Sequence, residues 1–426
     1  MQDRIYLCLA HMSGKEMDYI QEAFDTNWVV PLGPNVNGFE EDLEKFVNHI
    51  QPSTSDQHPH DLHKHVVALS SGTAAIHLAL LSCGVGHGDE VLVQSFTFCA
   101  SSHPVTYLGA TPIFVDSEKE TWNLDPDLLE TAIKDRLEKT GKKPKAIIPV
   151  ALYGMPYQID RIMEIANKYD IPVIEDAAEG MGSRYEGRIL GTFGKFGVLS
   201  FNGNKMITTS GGGALICDSI DLKNEILFYA TQARESYPYY QHEKIGYNYR
   251  MSNICAGIGR GQMIILEDHI AHHKKVQDLY TEGLYGIPGL NIHANPSPKF
   301  DSNYWVCTLT LDPELKIKGQ EDVYKEVVKG AVGGVAGVTH RAEKVHTDVE
   351  PNSNVEALRV WLDKANVEAR PLWKPMHLQP VYKNNPAYLN GVSESLFRIG
   401  ICLPAGPYVS EKHVKYIVDS IKSAIL

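Results

Sequence analysis

Short runs of β-branched and other apolar residues alternate with longer polar segments between residues 66 and 176. The runs are "VVAL" at 66–69, "EVLVQS" at 90–95, "PIFVD" at 112–116, "AIIPVAL" at 146–152 and "PVIED" at 172–176. Each run has the length of a buried strand, and the segments between them are long enough for helices. The alternation predicts an α/β fold built on a mostly parallel sheet.

Helical spacing is clearest in "TAAIHLALLSCGV", where Ile76, Ala79, Leu80 and Cys83 recur at the interval of one buried helix face. The pattern predicts a helix that starts near Thr73. After about residue 265 the pattern changes to a second helix, "HIAHHKKVQDLYTEGL", which we expect to lead into a smaller unit. We therefore predict a large domain over 1–265 and a small C-terminal domain over 266–426.

Two stretches do not fit this alternation. The tract "QHPHDLHKH" carries His58, His60, His63 and His65, and without an acidic or cysteine partner at a fixed geometry we interpret them as incidental histidines of a surface insertion. No metal site is expected. The Gly/Val-rich stretch at 330–355 has no clean period and predicts an irregular or mobile segment.

Composition narrows the class of protein. The chain has 426 residues, of which 43% are hydrophobic and 22% charged, and a formal net charge of −12. An acidic chain is a poor match for the phosphate backbone of nucleic acid, and no apolar run is long enough to cross a membrane. The seven cysteines include no CxxC pair, which favours reduced thiols and a cytoplasmic protein.

Candidate chemistry begins at "LSSGTAAIHL", where a predicted strand gives way to the predicted helix. The free N–H groups and the dipole of a helix N-terminus can hold a phosphate. This signal is weak alone, because Ser and Thr cap many helices that bind nothing. The chain lacks a Walker loop, and no GxGxxG follows a strand, which disfavours a nucleotide-binding loop.

The ends of two further strands add an aromatic and an acidic group. "SFTFCAS" brings Phe96 and Phe98 to the ligand-binding edge of a parallel sheet, where one ring could stack on a flat cofactor, and Phe96 is the one more readily assigned to the core. "PVIED" ends in Glu175 and Asp176, and a buried acid implies a cationic group nearby. A protonated ring nitrogen would qualify.

One lysine adds an amine to the anion site, the aromatic ring and the acidic group described above. Lys205 lies in "SFNGNKMITTSGGGAL", between a polar turn and three glycines. Pyridoxal 5'-phosphate (PLP) needs an anion site, a stacking face, a carboxylate for its pyridine nitrogen and a lysine for a Schiff base. The chain offers all four.

At this point the chain resembles a known family. "PLGPNVNGFE", "SSGTAAIHLAL", "GDEVLVQSFTF", "VIEDAAEGMGS", "SFNGNKMITTSGGGAL", "GYNYRMSNICAGIG" and "RPLWKPMHLQPVY" occur in the order found in the DegT/DnrJ/EryC1/StrS sugar aminotransferases. The likeness runs from about residue 10 to the C-terminus. It implies the fold of type I PLP-dependent aminotransferases, in which a large domain is followed by a smaller α/β domain.

The resemblance also implies roles for individual residues. Lys205 matches the catalytic, cofactor-bearing lysine, Asp176 the partner of the pyridine nitrogen and Phe98 the stacking aromatic. The other implied cofactor contacts are Gly72, Thr73, Ala74, Glu179, Ser200, Asn202 and Asn248. Implied substrate contacts are Arg234, Arg250 and His377. Asn248 and Arg250 match residues that reach the neighbouring subunit's cofactor, which implies a homodimer with shared active sites; a structural ion pair is the alternative for Arg250.

The best match within the family is to enzymes that aminate UDP-linked 4-keto-6-deoxy-N-acetylglucosamine in bacillosamine formation, with L-glutamate as the donor. The alternative substrate is the GDP-linked 4-keto-6-deoxymannose of perosamine synthesis. A dehydratase on this scaffold would carry histidine in place of Lys205, and a non-catalytic regulator would be expected to lose Lys205 or Asp176. An enzyme using a nicotinamide cofactor would need the missing glycine fingerprint.

Overall fold

The computed structural model describes residues 3–49, 63–323 and 349–426. His58, His60 and most of the Gly/Val-rich stretch fall outside these ranges. In the described part, no helix has the length and apolar character needed to span a bilayer.

Helices and strands alternate along the first half of the chain, and further helices and strands follow in the second half. The helices are α1 Glu16–Asp25, α2 Pro34–Val47, α3 Gly72–Ser82, α4 His103–Tyr107, α5 Pro126–Thr140, α6 Ile159–Tyr169, α7 Ile220–Ala230, α8 Asn253–Met263, α9 Leu266–Leu284, α10 Ser353–Lys364, α11 Val392–Ile399 and α12 Glu411–Ala424. The strands are β1 His65–Leu69, β2 Glu90–Gln94, β3 Thr111–Val115, β4 Ala146–Ile148, β5 Ile174–Asp176, β6 Arg184–Tyr185, β7 Arg188–Ile189, β8 Phe196–Ser200, β9 Gly213–Cys217, β10 Leu290–Ile292, β11 Phe300–Asp301, β12 Cys307–Leu311, β13 Arg370–Pro371, β14 Ala387–Tyr388 and β15 Gly400–Leu403.

The main sheet has the order β1-β9-β8-β5-β4-β2-β3-β14, with parallel bridges Ile147↔Val173 and Val150↔Asp176 joining its two halves. Only β9 runs against its neighbours, because it pairs antiparallel with both β1 and β8. The other pairings are parallel. The predicted mostly parallel α/β sheet is confirmed.

The five predicted strands and both predicted helices are present. Their apolar runs are buried on both faces, as expected for a sheet with helices on each side. Helix α3 begins at Gly72, because the Ser71 side chain caps it by accepting the Ala74 N–H at 3.0 Å.

A second, antiparallel sheet of order β10-β12-β15-β13 forms late in the chain. It has its own apolar core, which α9, α10 and α12 cover and which Ile5 joins from the N-terminal segment. The chain also returns to the main sheet through β14, which pairs with β3. The domain boundary near residue 265 stays a prediction, and these two features cross it.

Candidate active site

Lys205 lies in the loop that follows the end of β8 and leads into β9. Its side chain is only 13% exposed. Its Nζ donates a hydrogen bond to Glu179 Oε1 at 3.2 Å. The same nitrogen lies 4.3 Å from the centre of a Trp305 ring. The amine is therefore held between a carboxylate and an aromatic face.

Glu179 is buried and reaches Lys205 from the segment after β5. Its second oxygen accepts the Tyr153 N–H at 2.7 Å. Burial raises the pKa of Glu179, and the nearby Lys205 charge partly opposes that rise. Tyr153 holds its backbone at a φ of 54°, a conformation that side-chain-bearing residues seldom adopt.

Asp176 ends β5, is buried, and interacts by charge with the same lysine. Its Oδ2 accepts the Ser101 hydroxyl at 2.6 Å and its Oδ1 accepts the Ala178 N–H at 3.2 Å. Burial raises the pKa of Asp176, against the lowering effect of the Ser101 hydrogen bond and the Lys205 charge. A cation placed against this carboxylate would stabilise its charged form.

Glu175 precedes Asp176 but has a different environment. Its carboxylate accepts the N–H groups of Gly191, Phe193 and Gly194 at 3.1, 2.5 and 2.6 Å. The sequence predicted a cationic group near this buried acid, and the partly buried Arg188 guanidinium interacts with Glu175 by charge. The hydrogen-bond donors to the carboxylate are nevertheless three backbone amides. Glu175 therefore fixes a loop.

The N-terminus of α3 meets the end of β8. A Cβ atom added to Gly72 would lie 3.2 Å from Ser200 Cβ, and one added to Gly213 would lie 2.3 Å from the Gly72 nitrogen. The two glycines thus allow the helix end and Ser200 to approach closely. The first N–H groups of a helix have no partner within it, so this junction suits a phosphate.

Aromatic rings lie near Lys205. Phe98 is 57% exposed and lies 5.5 Å, centre to centre, from Trp373. Phe96 is fully buried, which confirms its assignment to the core. Trp305 lies 6.5 Å from Trp373, so the rings extend from Phe98 towards Lys205.

These residues fit pyridoxal phosphate by their chemistry. The glycine-lined helix end offers amide and hydroxyl donors for a phosphate, Asp176 offers a buried carboxylate for a pyridinium nitrogen, and Lys205 offers the amine. The roles of Gly72, Thr73, Ala74, Phe98 and Ser200 as cofactor contacts stay predictions.

Three of the remaining predicted contacts have exposed side chains. Asn202 is exposed, and its carbonyl accepts the Lys205 N–H at 3.0 Å. Asn248 is exposed and bridges to Thr231, and its side chain accepts from Gln232 at 3.3 Å. The guanidinium of Arg234, also exposed, lies over the Tyr240 ring.

Arg250 and His377 each have a partner within the chain. The Arg250 guanidinium pairs with Glu40 and donates to the Ala68 carbonyl at 2.9 Å, which matches the structural ion pair considered above. His377 Nδ1 lies 2.7 Å from Ser95 Oγ, and burial lowers the pKa of this histidine. Substrate roles for both stay predictions.

Sequence reasoning missed Ser101, Tyr153 and Trp305. Ser101 ends "SFTFCAS", three positions after Phe98, so its place in that motif was an available signal. Trp305 had no such signal, because it reaches Lys205 from a segment about a hundred positions later.

The histidine tract has an acidic neighbour that the sequence did not reveal. In the described part of the chain, ligand atoms of Glu44, His63 and His65 lie within 4.8 Å of one another. The Lys223 ammonium already contacts Glu44 at 2.8 Å. Glu44 is therefore already paired with a lysine, and the expectation that no metal binds stays a prediction.

The family model described as "DegT/DnrJ/EryC1/StrS aminotransferase family" matches residues 11–340 and 320–422. The chain belongs to the DegT/DnrJ/EryC1/StrS aminotransferase family. It is therefore a PLP-dependent sugar aminotransferase, as predicted.

Individual relatives are similar to the chain over nearly its full length. EpsN of Bacillus subtilis (strain 168), named as a pyridoxal phosphate-dependent aminotransferase, is 40% identical over 98% of this chain and 95% of its own. A GDP-perosamine synthase of Escherichia coli O157:H7 is 34% identical over 96% of this chain and 95% of its own. The crystal structure of a DegT DnrJ EryC1 StrS aminotransferase from Brucella abortus is 25% identical and superposes with a TM-score of 0.78, covering 96% of this chain and 95% of that one.

Proposed function

We propose that this aminotransferase moves the amino group of L-glutamate to C4 of a nucleotide-linked 4-keto-6-deoxy sugar. The first candidate is UDP-2-acetamido-4-keto-2,6-dideoxyglucose, because the motifs around Lys205, "TQARE", "GYNYRMSN" and "RPLWKPMHLQPVY" resemble bacillosamine-type enzymes most. The observation that carries the catalytic part is the Lys205 amine, held between Glu179 and Trp305 and beside Asp176.

Different residues of the site would hold different parts of PLP. The α3 N-terminus and Ser200 would hold the phosphate of PLP, Asp176 its ring nitrogen and Lys205 its reactive carbon. Bound PLP supplies an electron sink for the negative charge left when a carbon next to the amino group loses its proton.

Lys205 would also carry a proton during the reaction. With PLP and glutamate bound, its Nζ would act as the base that removes a proton from the carbon next to the amino group and as the acid that returns it. The Glu179 carboxylate, 3.2 Å from Nζ, keeps that nitrogen oriented. The expected products are 2-oxoglutarate and the 4-amino sugar, formed in two half-reactions.

A GDP-linked 4-keto-6-deoxymannose is the second candidate. It is favoured by the full-length similarity to the Escherichia coli GDP-perosamine synthase. Both candidates present a ketone at the same carbon, so they differ in nucleotide and in sugar stereochemistry.

The test has two stages. The visible spectrum of the holoenzyme is recorded before and after L-glutamate, with L-glutamine as a second donor. The glutamate-treated enzyme then receives UDP- or GDP-linked 4-keto sugar, and the 4-amino product is identified by mass spectrometry. A spectrum that no amino donor changes would contradict the transamination, whereas turnover of the GDP-linked sugar alone would replace the first candidate by the second.

We also infer a homodimer. Large apolar side chains are exposed along residues 6–32, among them Trp28, Val29 and Leu32. The buried Asn253 holds this stretch through the Trp28 and Val30 backbones. Such a surface suits a second copy of the chain, and exposed Asn248 would then contact the partner's cofactor.

The dimer has a direct test. Lys205→Ala and Asn248→Ala variants are expected to regain activity when mixed after dissociation, because a hybrid dimer contains one intact site. A monomer in light scattering would contradict the inference.

We further propose that the enzyme is cytoplasmic. All seven cysteines are free, which supports this location.

A further inference from the structure

Trp305 lies directly against the Lys205 amine. Nζ is 4.3 Å from the centre of a Trp305 ring, within the range at which a cation is attracted to an aromatic face. The Trp305 side chain is 4% exposed, so little water screens the contact. Tryptophan is the aromatic residue that attracts a cation most strongly.

The polar edge of the same indole holds the lysine backbone. Trp305 Nε1–H donates to the Asn204 carbonyl at 2.6 Å. Asn204 immediately precedes Lys205. One side chain thus contacts the amine through its face and the neighbouring peptide through its N–H.

The backbone of Trp305 is itself fixed. Its N–H donates to Asn303 Oδ1 at 2.9 Å, and Asn303 Nδ2 donates to the carbonyls of Glu179 and Met181 at 2.8 and 2.9 Å. Between them, Tyr304 has a φ of 49°, a strained backbone held by this network. Asn303 therefore connects the two groups that contact Lys205 Nζ, which are Glu179 and Trp305.

We propose that Trp305 is a positioning residue that fixes the Lys205 amine and stabilises positive charge on its nitrogen through the indole face. This inference rests on the proposed role of Lys205. Among the described residues, Glu179, Asp176 and Cys8 are further titratable groups that interact with Lys205 by charge. The carboxylates favour a cation as well, so the experiment changes Trp305 alone.

Two substitutions separate the two contacts. Trp305→Phe keeps an aromatic face but removes the N–H, and Trp305→Leu removes both. The visible band of each holoenzyme is followed with pH, together with kcat and KM for L-glutamate. Because a cation at Nζ loses the stabilising ring, we expect Trp305→Leu to lower the midpoint of the spectral change by roughly 0.5 to 1.5 pH units.

Trp305→Phe is expected to lower that midpoint by less than half as much. Its main effect is a kcat that falls roughly 3- to 10-fold, because the Asn204 carbonyl loses its donor, with KM for L-glutamate little changed. Phe is also the variant that best preserves the packing. It keeps the test valid if Trp305→Leu fails to fold.

The chain contains a matched control. Trp361 Nε1–H donates to the Ser420 carbonyl at 3.1 Å, and Lys318 Nζ lies 5.7 Å from its ring centre. Trp361→Phe and Trp361→Leu change a similar tryptophan and lysine pair in the second core. They should leave the spectral midpoint and kcat of the folded enzyme unchanged.

The outcomes separate this inference from the proposed function. A wild-type band that titrates and responds to L-glutamate, with the same midpoint and kcat in folded Trp305 variants, would overturn the positioning role alone. A wild-type protein with no band after PLP addition would overturn the role of Lys205 first. A lower midpoint in Trp305→Leu but not in Trp361→Leu supports the proposal.

Discussion

Glu175 and Asp176 are adjacent buried acids at the end of β5, and their environments differ completely. Successive residues of a strand point to opposite faces, so the two carboxylates enter different surroundings. Three backbone amides surround Glu175, whereas Asp176 has one amide and the Ser101 hydroxyl. Burial raises the pKa of Asp176. A fully bonded acid therefore supports the fold, while an acid with fewer donors is available to a ligand.

The largest expected effect is on catalysis at Asp176. Asp176→Asn removes the charge that would hold the cofactor ring nitrogen protonated, so kcat should fall on the order of 10²- to 10³-fold, as when one preorganised catalytic group is removed. Steady-state kinetics with saturating PLP measures this. Glu175→Gln is the matched control, and an equal loss of kcat in folded Glu175→Gln would remove the distinction between the two acids.

For the free energy of unfolding, the larger loss is expected at Glu175. Glu175→Gln replaces a charged acceptor of three N–H groups by a neutral amide whose NH₂ cannot accept, so the free energy of unfolding should fall by about 1–3 kcal/mol. Urea denaturation of the apoprotein checks this. An unchanged midpoint would show that the loop at 191–194 does not depend on the carboxylate.

The pH dependence of stability should have a definite sign at Asp176. A carboxyl whose pKa is raised on folding lowers the stability of the folded state as pH rises above the unfolded pKa, because the unfolded chain ionises first, and the loss is complete once pH passes the folded pKa. In the apoprotein, Asp176→Asn removes this penalty. We expect the variant to gain stability over wild type as pH rises from the ordinary aspartate range towards neutrality, and a constant difference across this range would contradict the account.

The smallest effects concern the two phenylalanines two positions apart. Phe98 is exposed beside Trp373, so Phe98→Leu should change stability by no more than about 0.5 kcal/mol and weaken PLP binding several-fold. Phe96→Leu should instead destabilise the fold by about 1 kcal/mol while leaving PLP affinity unchanged. Fluorescence titration with PLP and urea denaturation of both variants decide between these outcomes.

Much of the main sheet could be predicted from the chain. Strands buried on both faces are continuous apolar runs, and the five predicted strands are of this kind. β8 and β9 were not among them. Both contain glycine, which weakens a strand pattern, and the reversed direction of β9 is set by pairing with β1, which lies far away in the sequence.

The site was predictable only in part. Lys205 and Asp176 stand in compact motifs that identify the family, so sequence alone locates them. Trp305 and Asn303 act through contacts across more than a hundred positions, and the polar partners of Glu175 are backbone groups whose positions depend on folding. Such contacts leave no local pattern.

Lys205 is the residue proposed to carry the cofactor in this site. Borohydride reduction of the holoenzyme, followed by proteolysis and mass spectrometry, tests this role directly. We expect a pyridoxyl group on the peptide that contains Lys205, and no such group after reduction of Lys205→Ala. A pyridoxyl group on a different lysine of the wild-type protein, or the same labelling in Lys205→Ala, would contradict it.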